Sequence, residues 1–427
     1  MKYALVNPNW SFDGSIYFGC RQPHLPLEYG YAKAVLERGG HEALIVDGQL
    51  EKLSPEQMRG RVAEFRPDFI ILTTAPSYLF WRCAPPELRV PQETVRNLRG
   101  VGGAFIAVGP HASTTPRATL RKLGVEAVIM GEPEELFPAL AGDWRGIPGL
   151  VHRGDGAAAA AVTPHVADMK ALPALEWPKA TLARHRHHHH RFDAEPLGPG
   201  AEMEVSRGCP YHCTFCAKEQ FRTNYRKRPH ETILAELDGL LSRGVEYVYF
   251  IDEIFLPDAA LLEKFAERRF KFGVQTRIDL WRPDLLELLG RAGCVSVEAG
   301  VESISPEGRK LLDKRSKLTT AEFTARLIEA KKHIAFVQAN LLDAKVDDAQ
   351  EIEAWRDHLR RFGVWANKPV PLFAYPGSPD YRKRWGEPDD QAWERALDCY
   401  LRENAEFSDI QELHPLPLAQ LETGPGE

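Results

Sequence analysis

The sequence of 427 residues lacks an apolar run long enough to cross a bilayer, and it opens without the charged and apolar regions of an export signal. It also lacks a basic excess, since 60 acidic residues outnumber 54 Lys and Arg and the net charge is −6 at pH 7. We therefore expect neither a membrane span nor a nucleic-acid surface. Cysteine is scarce, with seven residues in all. Four of them, at positions 20, 83, 294 and 399, are scattered without a disulfide framework, which predicts a reducing, cytoplasmic compartment.

The other three cysteines share one short loop. Cys209, Cys213 and Cys216 have the spacing CxxxCxxC. Thiolates are soft metal ligands, so three in one loop predict an inorganic centre. A structural zinc site usually takes four ligands, with cysteines arriving as two separated pairs, and a second pair is missing here. Two hypotheses stay open: an iron–sulfur cluster with one open iron, or a Cys3His zinc site completed by His212 or by the histidine run at 185–190.

The cysteine loop resembles that of the radical S-adenosylmethionine superfamily, because Phe215 precedes the third cysteine and a strand-like segment, 203–206, precedes the first. The resemblance implies that the three cysteines bind a [4Fe-4S] cluster. The open iron would take the amino and carboxylate groups of S-adenosylmethionine, and one-electron reduction would yield a 5′-deoxyadenosyl radical. It also implies that Phe215 lies near the adenine, and that an electron donor such as flavodoxin or ferredoxin is a partner.

The first 140 residues alternate short apolar runs with segments of helical spacing. This alternation predicts a doubly wound parallel α/β sheet of Rossmann-like type. The apolar runs lie at 3–6, 43–46, 68–73, 104–108 and 127–130. Ligands bind such sheets at the carboxyl ends of the strands. The loops there are rich in small residues, which fits the approach of a bulky cofactor but also fits ordinary turns.

Two of these loops, Gly109-Pro-His-Ala and Gly131-Glu-Pro-Glu, resemble the cobalamin-binding domain of the B12-dependent radical S-adenosylmethionine subfamily. The resemblance implies that cobalamin contacts Asn9, Thr73, Thr74, Ser77, Gly109, Pro110, His111, Gly131 and Glu132. The DxHxxG signature, whose histidine ligates cobalt in many B12 proteins, is absent. We therefore expect cobalamin without a histidine axial ligand from the protein, and neither His41 nor His111 is assigned that role.

Residues 141–200 interrupt the alternation with prolines and an alanine run, and they predict a linker. The predicted domains are a cobalamin-binding domain at 1–140, a barrel at 201–384 and a helical tail at 385–427. We expect His187–His190 to be a solvated or packed part of the linker, with metal binding as the alternative.

From residue 201 about six βα units predict a partial (β/α)6 barrel, whose chemistry should lie at the strand carboxyl ends. Arg277 and Glu302 have the charges that the amino acid part of S-adenosylmethionine requires, although a buried ion pair or a capping role also fits. The resemblance adds Asp252, Glu253 and Ser303 to this site. Residues 341–348 depart from the Gly-x-Pro-Gly-Glu-Thr that family members often carry, which puts the substrate side in doubt.

Together these features predict an enzyme that uses a [4Fe-4S] cluster, S-adenosylmethionine and cobalamin to modify an unactivated carbon by methyl transfer. A cyclase or ring-rearranging enzyme with the same cofactors is one alternative, and a zinc-binding module without catalytic activity is another. The sequence assigns no catalytic side chain. A sugar, a lipid, a peptide or a small molecule would fit as substrate.

Overall fold

A computed structural model describes residues 1–16, 23–154, 162–185, 198–218, 222 and 224–403. The predictions made for His187–His190, for most of the alanine run and for the end of the tail lie outside these residues. None of the helices in these ranges combines the length and the apolar character that a bilayer span needs. The chain forms two compact units. The first contains residues 1–175, 216–223 and 373–427, and the second contains residues 176–215 and 224–372.

The first unit is built around a six-stranded sheet. Its strands are β1 (Lys2–Asn7), β2 (Glu42–Asp47), β3 (Phe69–Thr73), β4 (Ala104–Val108), β5 (Ala127–Ile129) and β6 (Leu150–His152). All neighbours are parallel except β6, which pairs with β5 in the antiparallel direction. Alternate residues of each strand enter separate apolar clusters, so that Ala4 and Val6 lie in one and Tyr3 and Leu5 in the other. A sheet buried on both faces is the predicted doubly wound architecture.

Helices surround this sheet. They are α1 (Leu27–Arg38), α2 (Pro55–Phe65), α3 (Arg89–Leu98), α4 (Pro110–Thr114) and α5 (Pro116–Leu123). The strand order is β2-β1-β3-β4-β5-β6. The connections therefore leave β1 and β3 in opposite directions, and the crevice at such a switch point is where open α/β sheets bind their ligands. The loops that follow β1 and β3 border this crevice.

The second unit, beginning with helix α6 (Lys179–Arg184), contains a parallel sheet whose strands follow one another in chain order, as expected for a partial barrel. The strands are β7 (Gly200–Met203), β10 (Tyr247–Phe250), β11 (Lys271–Thr276), β12 (Cys294–Glu302), β13 (Phe336–Asp343) and β14 (Trp365–Ala366). A short ribbon joins β8 (Ser206–Arg207) to β9 (Arg226–Lys227). The helices of this sheet are α7 (His230–Ser242), α8 (Ala259–Ala266), α9 (Pro283–Arg291), α10 (Pro306–Leu311), α11 (Thr320–His333) and α12 (Ala349–Arg361).

The last strand differs from its prediction. The apolar run at 370–374 predicts one strand, but the structure has two short ones, β14 and β15 (Val370–Pro371), which both pair with β13. Pro371 has no amide hydrogen and cannot continue a hydrogen-bonded ladder, so the strand ends there. The predicted tail at 385–427 contains the helix α14 (Ala392–Glu403) among its described residues. Helix α13 (Pro379–Trp385) precedes it, in the range predicted as barrel, and both helices lie within the first unit.

Candidate cofactor sites

Two carboxylates after β10 hold the backbone that leads into the cysteine loop. Asp252 accepts hydrogen bonds from the amide of Val205 at 3.1 Å and from the hydroxyl of Ser206. Glu253 accepts one from the amide of Gly208 at 2.8 Å. Strands β7 and β10 are parallel neighbours, so their carboxyl ends meet at one edge of the sheet. Both acidic residues therefore support the loop, and Asp252 uses both of its oxygens to do so.

Buried ion pairs brace the same segment. The Arg207 guanidinium donates to the Glu204 carboxylate at 2.6 Å, and neither side chain is exposed. Arg228 donates to the backbone carbonyl of Glu204 at 2.9 Å and to the carboxylate of Glu236 at 2.7 Å. Breaking one partner of such a pair leaves a buried charge uncompensated, at a cost of about 3–5 kcal/mol. The approach to Cys209 is therefore fixed by charge as well as by sheet geometry.

Cations surround the cysteine loop on the barrel side. The Arg277 guanidinium lies 3.9 Å from the ring centre of Tyr211, which is inside the loop. Arg277 also donates two hydrogen bonds to Asp279, at 3.2 and 2.8 Å. Burial raises the pKa of the Cys213 thiol, while Lys314 and Arg277 act to lower it. Burial outweighs the two cations, so the thiol keeps a pKa above its ordinary value.

Glu302 forms the buried ion pair that the sequence left open as an alternative. Its carboxylate accepts from the Lys314 ammonium at 2.6 Å. The register between β12 and β13 shifts between Gly300 and Glu302, and the backbone φ of Glu302 is +70°. A β-bulge of this kind redirects side chains at a strand end. A methyl group on Gly300 would lie 2.5 Å from the Glu302 carboxylate and 2.9 Å from the Lys314 nitrogen, so the pair would have to shift to accommodate a side chain there.

Ser303 is engaged by the loop that departs from the family pattern. Its hydroxyl donates to Asp347 at 2.9 Å, and the same carboxylate accepts from the amide of Ile304 at 3.0 Å. Asp347 therefore holds the segment after β12, next to Glu302. A ligand would meet the Ser303 hydroxyl only in competition with this carboxylate.

The residues around the cysteine loop fit the predicted cluster and an anionic ligand. None of the three cysteines is in a disulfide, and each has intermediate exposure. Arg277 is 5% exposed, and its Nη1 has no hydrogen-bond partner among the described residues. A buried donor without a partner calls for a ligand, and a carboxylate is the group that guanidinium binds best. The contacts of the Phe215 ring do not assign it a role.

The placement of the possible ligands does not separate the zinc alternative from a cluster. Across the described part of the chain, no three His, Cys, Asp or Glu side chains, the three cysteines included, are placed to hold a single metal ion. His212 is exposed, and His185 is buried in the second unit. The His185 ring contacts the carbonyl of Gly200 at 2.6 Å and the carboxylate of Glu202 at 3.1 Å.

In the first unit, the loops after β3 and β4 meet at the carboxyl edge of the sheet. A methyl group on Gly109 would lie 2.7 Å from the Thr74 hydroxyl and 3.6 Å from the Thr73 hydroxyl, and its φ of +117° favours glycine. Thr73 donates to the carbonyl of Ala75 at 2.6 Å. The buried hydroxyls of Thr74 and Ser77 have no hydrogen-bond partner among the described residues. Cobalamin carries amide side chains, which would satisfy these hydroxyls, so the edge fits that cofactor.

His111 follows Pro110, the first residue of α4, and is 1% exposed. Burial lowers its pKa to about 3, so the ring is neutral. Its nitrogens make no well-formed hydrogen bond to described residues, although the backbone of Thr74 and Pro85 lies close. The ring lies 4.4 Å from that of Trp393 on α14.

Three other predicted cobalamin contacts are already engaged within the first unit. Gly131 forms a bridge with His165, and its amide donates to the Ser113 hydroxyl at 2.9 Å. Glu132 is fully buried and accepts from the amide of Ala167 at 2.8 Å. Asn9 is exposed and donates to the carbonyl of Leu53 at 3.2 Å. These three residues shape the loops. Because they already form hydrogen bonds within the protein, they offer a ligand fewer hydrogen-bonding groups than Thr74 and Ser77 do.

Sequence reasoning missed several residues of these sites. Tyr211 and Asp279 contact Arg277, and Lys314 contacts Glu302. Asp347 accepts a hydrogen bond from Ser303, and the Trp393 ring packs on that of His111. Tyr211 could have been noticed, since it is an aromatic inside the cysteine loop. Lys314 lies in a run of charged residues and carries no local signal.

Comparisons with known proteins agree with this architecture. The radical SAM superfamily matches residues 203–353, and the B12 binding domain matches residues 20–141. An uncharacterized methyltransferase of Pyrococcus horikoshii is 26% identical, over 88% of this chain and 82% of that protein. An anaerobic magnesium-protoporphyrin IX monomethyl ester cyclase of Cereibacter sphaeroides is 24% identical, over 87% of this chain but only 63% of that protein.

Among solved structures, the fold resembles that of the radical S-adenosylmethionine methyltransferase TsrM from Kitasatospora setae, with cobalamin and a [4Fe-4S] cluster bound. The TM-score is 0.67 at 18% identity, over 89% of this chain and 73% of that chain. At this identity the likeness concerns the fold. It confirms the predicted fold class. The two family matches support the predicted cofactors, which are a [4Fe-4S] cluster, S-adenosylmethionine and cobalamin.

The buried carboxylate that supports the cysteine loop should leave a pH signature. Burial raises the pKa of Asp252 to about 7 from an ordinary 3.8, against hydrogen bonds that lower it. At a pH between these two pKa values, the carboxyl of the folded protein is protonated whereas that of the unfolded chain is ionised. The free energy of unfolding therefore falls as the pH rises from about 4 to 7, by up to about 4 kcal/mol in total. We expect Asp252→Asn to gain stability relative to the wild type from about pH 4 to 7.

Thermal unfolding midpoints of the apoprotein at several pH values measure this difference. Asp284→Asn, at an exposed carboxylate, serves as the control and should follow the wild-type profile. If the difference in unfolding midpoint between Asp252→Asn and the wild type did not change between pH 4 and 7, the raised pKa of Asp252 would be contradicted.

The loop after β4 should tolerate no side chain at residue 109. In Gly109→Ala the methyl group meets Thr74, and the backbone conformation costs about 1–3 kcal/mol. We expect cobalamin affinity to fall about tenfold or more, since 1.4 kcal/mol is a factor of ten. Gly102→Ala is the matched control, because Gly102 also has a positive φ but nothing lies within 4 Å of the added methyl group. The measurement is the absorbance of cobalamin retained after gel filtration. Equal retention by both variants would be inconsistent with a cobalamin site at this loop.

Proposed function

Because this chain belongs to the radical S-adenosylmethionine enzymes that carry a B12-binding domain, we propose that it transfers a methyl group to an unactivated carbon of its substrate. The observation that carries the proposal is the joint presence of both domains in a chain that aligns with a methyltransferase over most of both proteins. When bound, the cluster and S-adenosylmethionine supply a carbon radical, and cobalamin supplies a transferable methyl group.

In the proposal, Cys209, Cys213 and Cys216 hold the cluster, and the protein fixes their loop before the cluster assembles. Asp252 and Glu253 accept from the backbone before the loop, and Tyr211 stacks on Arg277 within it. Such prior ordering lowers the entropic cost of binding three ligands to one centre. Asp252 thus acts as a positioning residue, and Glu253 does the same through the amide of Gly208.

S-adenosylmethionine is bound by the charged groups around the loop. The unpartnered Nη1 of Arg277 takes the carboxylate of the ligand, and Phe215 takes the adenine face. Lys314 and Glu302 form a pre-assembled pair of opposite charges that complements a zwitterion. Ser303 adds a hydroxyl whose orientation Asp347 sets. Lys314 is thereby added to the residues that the sequence predicted for binding S-adenosylmethionine.

Cobalamin is bound at the crevice edge of the first unit. Thr74 and Ser77 offer buried hydroxyls, and Gly109 lets the cofactor approach the backbone. Thr73, Pro110 and His111 shape the same edge, while Asn9, Gly131 and Glu132 hold the neighbouring loops. His111 packs on Trp393, and we assign it no bond to cobalt.

A second candidate function is oxidative cyclisation with the same cofactors. The observation that favours it is the cyclase of Cereibacter sphaeroides, which aligns with 87% of this chain. The two reactions differ in their products, since methyl transfer adds one carbon and cyclisation adds none.

The cluster assignment is tested by changing Cys209, Cys213 and Cys216 together to Ala. We expect loss of iron, of the broad brown absorbance and of S-adenosylmethionine cleavage, measured after anaerobic purification. Cys294→Ala is the control, because burial raises the pKa of that thiol and its Sγ contacts the carbonyl of Ser296 at 3.3 Å. Retained cleavage in the triple variant would overturn the assignment, and a colourless wild type containing zinc would restore the zinc alternative.

The reaction is tested by mass spectrometry of metabolites from cells with and without the protein, grown with methyl-labelled methionine. We expect a metabolite that appears only with the protein and carries the labelled methyl group. A new product without the label would favour cyclisation. The cysteine triple variant should produce neither, which ties the product to the cluster.

A further inference from the structure

We infer that the C-terminal helix α14 completes the cobalamin site, and that the indole of Trp393 donates a hydrogen bond to an amide side chain of the cofactor. The helix lies outside both family matches, which cover residues 20–141 and 203–353. The inference rests on the cobalamin site of the proposed function, but it does not depend on whether the reaction is methyl transfer or cyclisation.

The chain returns to the first unit after the barrel. Residues 373–427 belong to the same compact unit as residues 1–175, although most of the second unit lies between them in the sequence. Because residues three and four apart lie on the same side of a helix, the buried residues of α14 form one face. They are Ala392, Trp393, Ala396, Leu397, Cys399 and Tyr400. Helix α14 therefore packs on the first unit through a continuous stripe that includes Trp393.

Helix α14 packs against the two helices that follow β4. The Trp393 ring lies 4.4 Å from the His111 ring on α4, with an angle of 30° between the ring planes. Beside it, the Glu394 carboxylate accepts from the Lys122 ammonium on α5 at 2.6 Å. This ion pair is partly exposed, and such pairs add little to stability. The position of α14 therefore depends mainly on its buried face and on the contact between the two rings.

Four polar side chains around this contact are buried without a hydrogen-bond partner in the described part of the chain. They are the indole of Trp393, the imidazole of His111 and the hydroxyls of Thr74 and Ser77. Each of the four residues is at least nine-tenths buried. A single buried polar group without a partner destabilises the folded state and is unusual in a native protein. Four such groups together indicate a ligand that supplies their partners.

The four side chains border one edge of the sheet. Thr74 and Ser77 follow β3, and His111 lies two residues after Gly109 at the end of the neighbouring strand β4. Two residues span at most about 7 Å, and a methyl group on Gly109 would lie 2.7 Å from the Thr74 hydroxyl. The backbone of Thr74 also lies close to the His111 ring. Since Trp393 contacts that same ring, α14 reaches the edge to which we assign cobalamin.

The chemistry of the four groups fits a ligand that carries amides. An indole nitrogen can only donate, so the ligand must present an acceptor to Trp393. A neutral imidazole offers one donor and one acceptor, and a hydroxyl can act as either. The amide side chains of cobalamin carry both carbonyl acceptors and N–H donors. A metal cation would not accept a hydrogen bond from the indole, and an apolar ligand would leave all four groups without partners.

Aromatic side chains of the same segment hold the Trp393 ring in place. The Tyr375 ring meets it edge-on, with 6.4 Å between the ring centres. Tyr375 packs in turn on Phe373 at 4.3 Å, and Phe373 packs on Tyr400 of α14 at 5.6 Å. These rings join the start of the returning segment to its last described helix. The indole is therefore oriented before the cofactor binds, which reduces the entropy lost on binding.

The test compares the binding of hydroxocobalamin by Trp393→Phe and by the wild type, both as full chains. Phenylalanine keeps an aromatic ring beside His111 but has no donor. We expect the dissociation constant, measured by equilibrium dialysis and cobalamin absorbance, to rise about three- to tenfold, the range that one hydrogen bond contributes. The matched control is Trp385→Phe, the same change on α13, where the ring packs on Tyr381 at 4.9 Å. It should bind cobalamin as the wild type does.

A second measurement uses the unaltered protein. Hydrogen exchange of the backbone amides is followed by mass spectrometry with and without hydroxocobalamin. We expect exchange in α14 to slow more than exchange in α2, which joins β2 to β3 and carries none of the four unpartnered groups. Cobalamin binding also raises the stability of the whole unit, so the comparison of the two helices isolates the local effect.

Each outcome supports the inference or overturns it. Equal affinity in Trp393→Phe and the wild type would overturn it, as would an equal loss in Trp385→Phe. If Trp393→Phe also lowers the unfolding midpoint of the apoprotein, the exchange of α14 in the wild type decides, and equal protection of α14 and α2 refutes the contact. Weak binding by Gly109→Ala with normal binding by Trp393→Phe would keep the cobalamin site and remove α14 from it. A wild type that binds no cobalamin would refute the proposed function as well.

Discussion

The hydrogen bonds that Asp252 and Glu253 accept from the amides of Val205 and Gly208 and from the hydroxyl of Ser206 are the constraint on which the barrel site depends. They exist because two parallel strands in register end at the same edge of the sheet. A backbone amide that is buried without a hydrogen-bond acceptor destabilises the folded state, and here the two carboxylates act as acceptors. The sheet thus determines where Cys209 begins, before any metal contributes.

The charged residues around the cysteine loop are balanced in pairs. Lys314 pairs with Glu302, and Arg277 pairs with Asp279. A buried ion pair adds little to stability compared with an apolar pair of equal volume, because desolvation offsets the attraction. The strained backbone of Glu302 adds a cost of about 1–2 kcal/mol. This cost is consistent with the ligand-binding role that we propose for these charges.

Periodicity and strand ends allowed the sequence to predict both sheets. The cofactors were predicted from family resemblance, which the cysteine loop carries for the cluster and S-adenosylmethionine and the loops at Gly109 and Gly131 carry for cobalamin. The approximate places of Arg277 and Glu302 in the second unit, and of Thr74 in the first, followed, because polar residues at the strand ends of each sheet converge on one edge of that sheet. The partners of these residues did not follow. Lys314 reaches Glu302 only because a bulge turns the carboxylate, and Trp393 reaches His111 across most of the sequence. Such contacts depend on tertiary structure and leave no local pattern.

The loop after β13 shows how a departure in sequence can preserve a site. Residues 341–348 lack the family's Gly-Pro turn, and on sequence alone this difference weakened the expectation for the substrate side. In the structure, Asp347 from this loop holds Ser303 and the start of α10, so it fixes the segment that follows Glu302. Its changed residues therefore act on the support of this segment, and they leave the ion pairs of Arg277 and Glu302, to which we assign the ligand, unaltered.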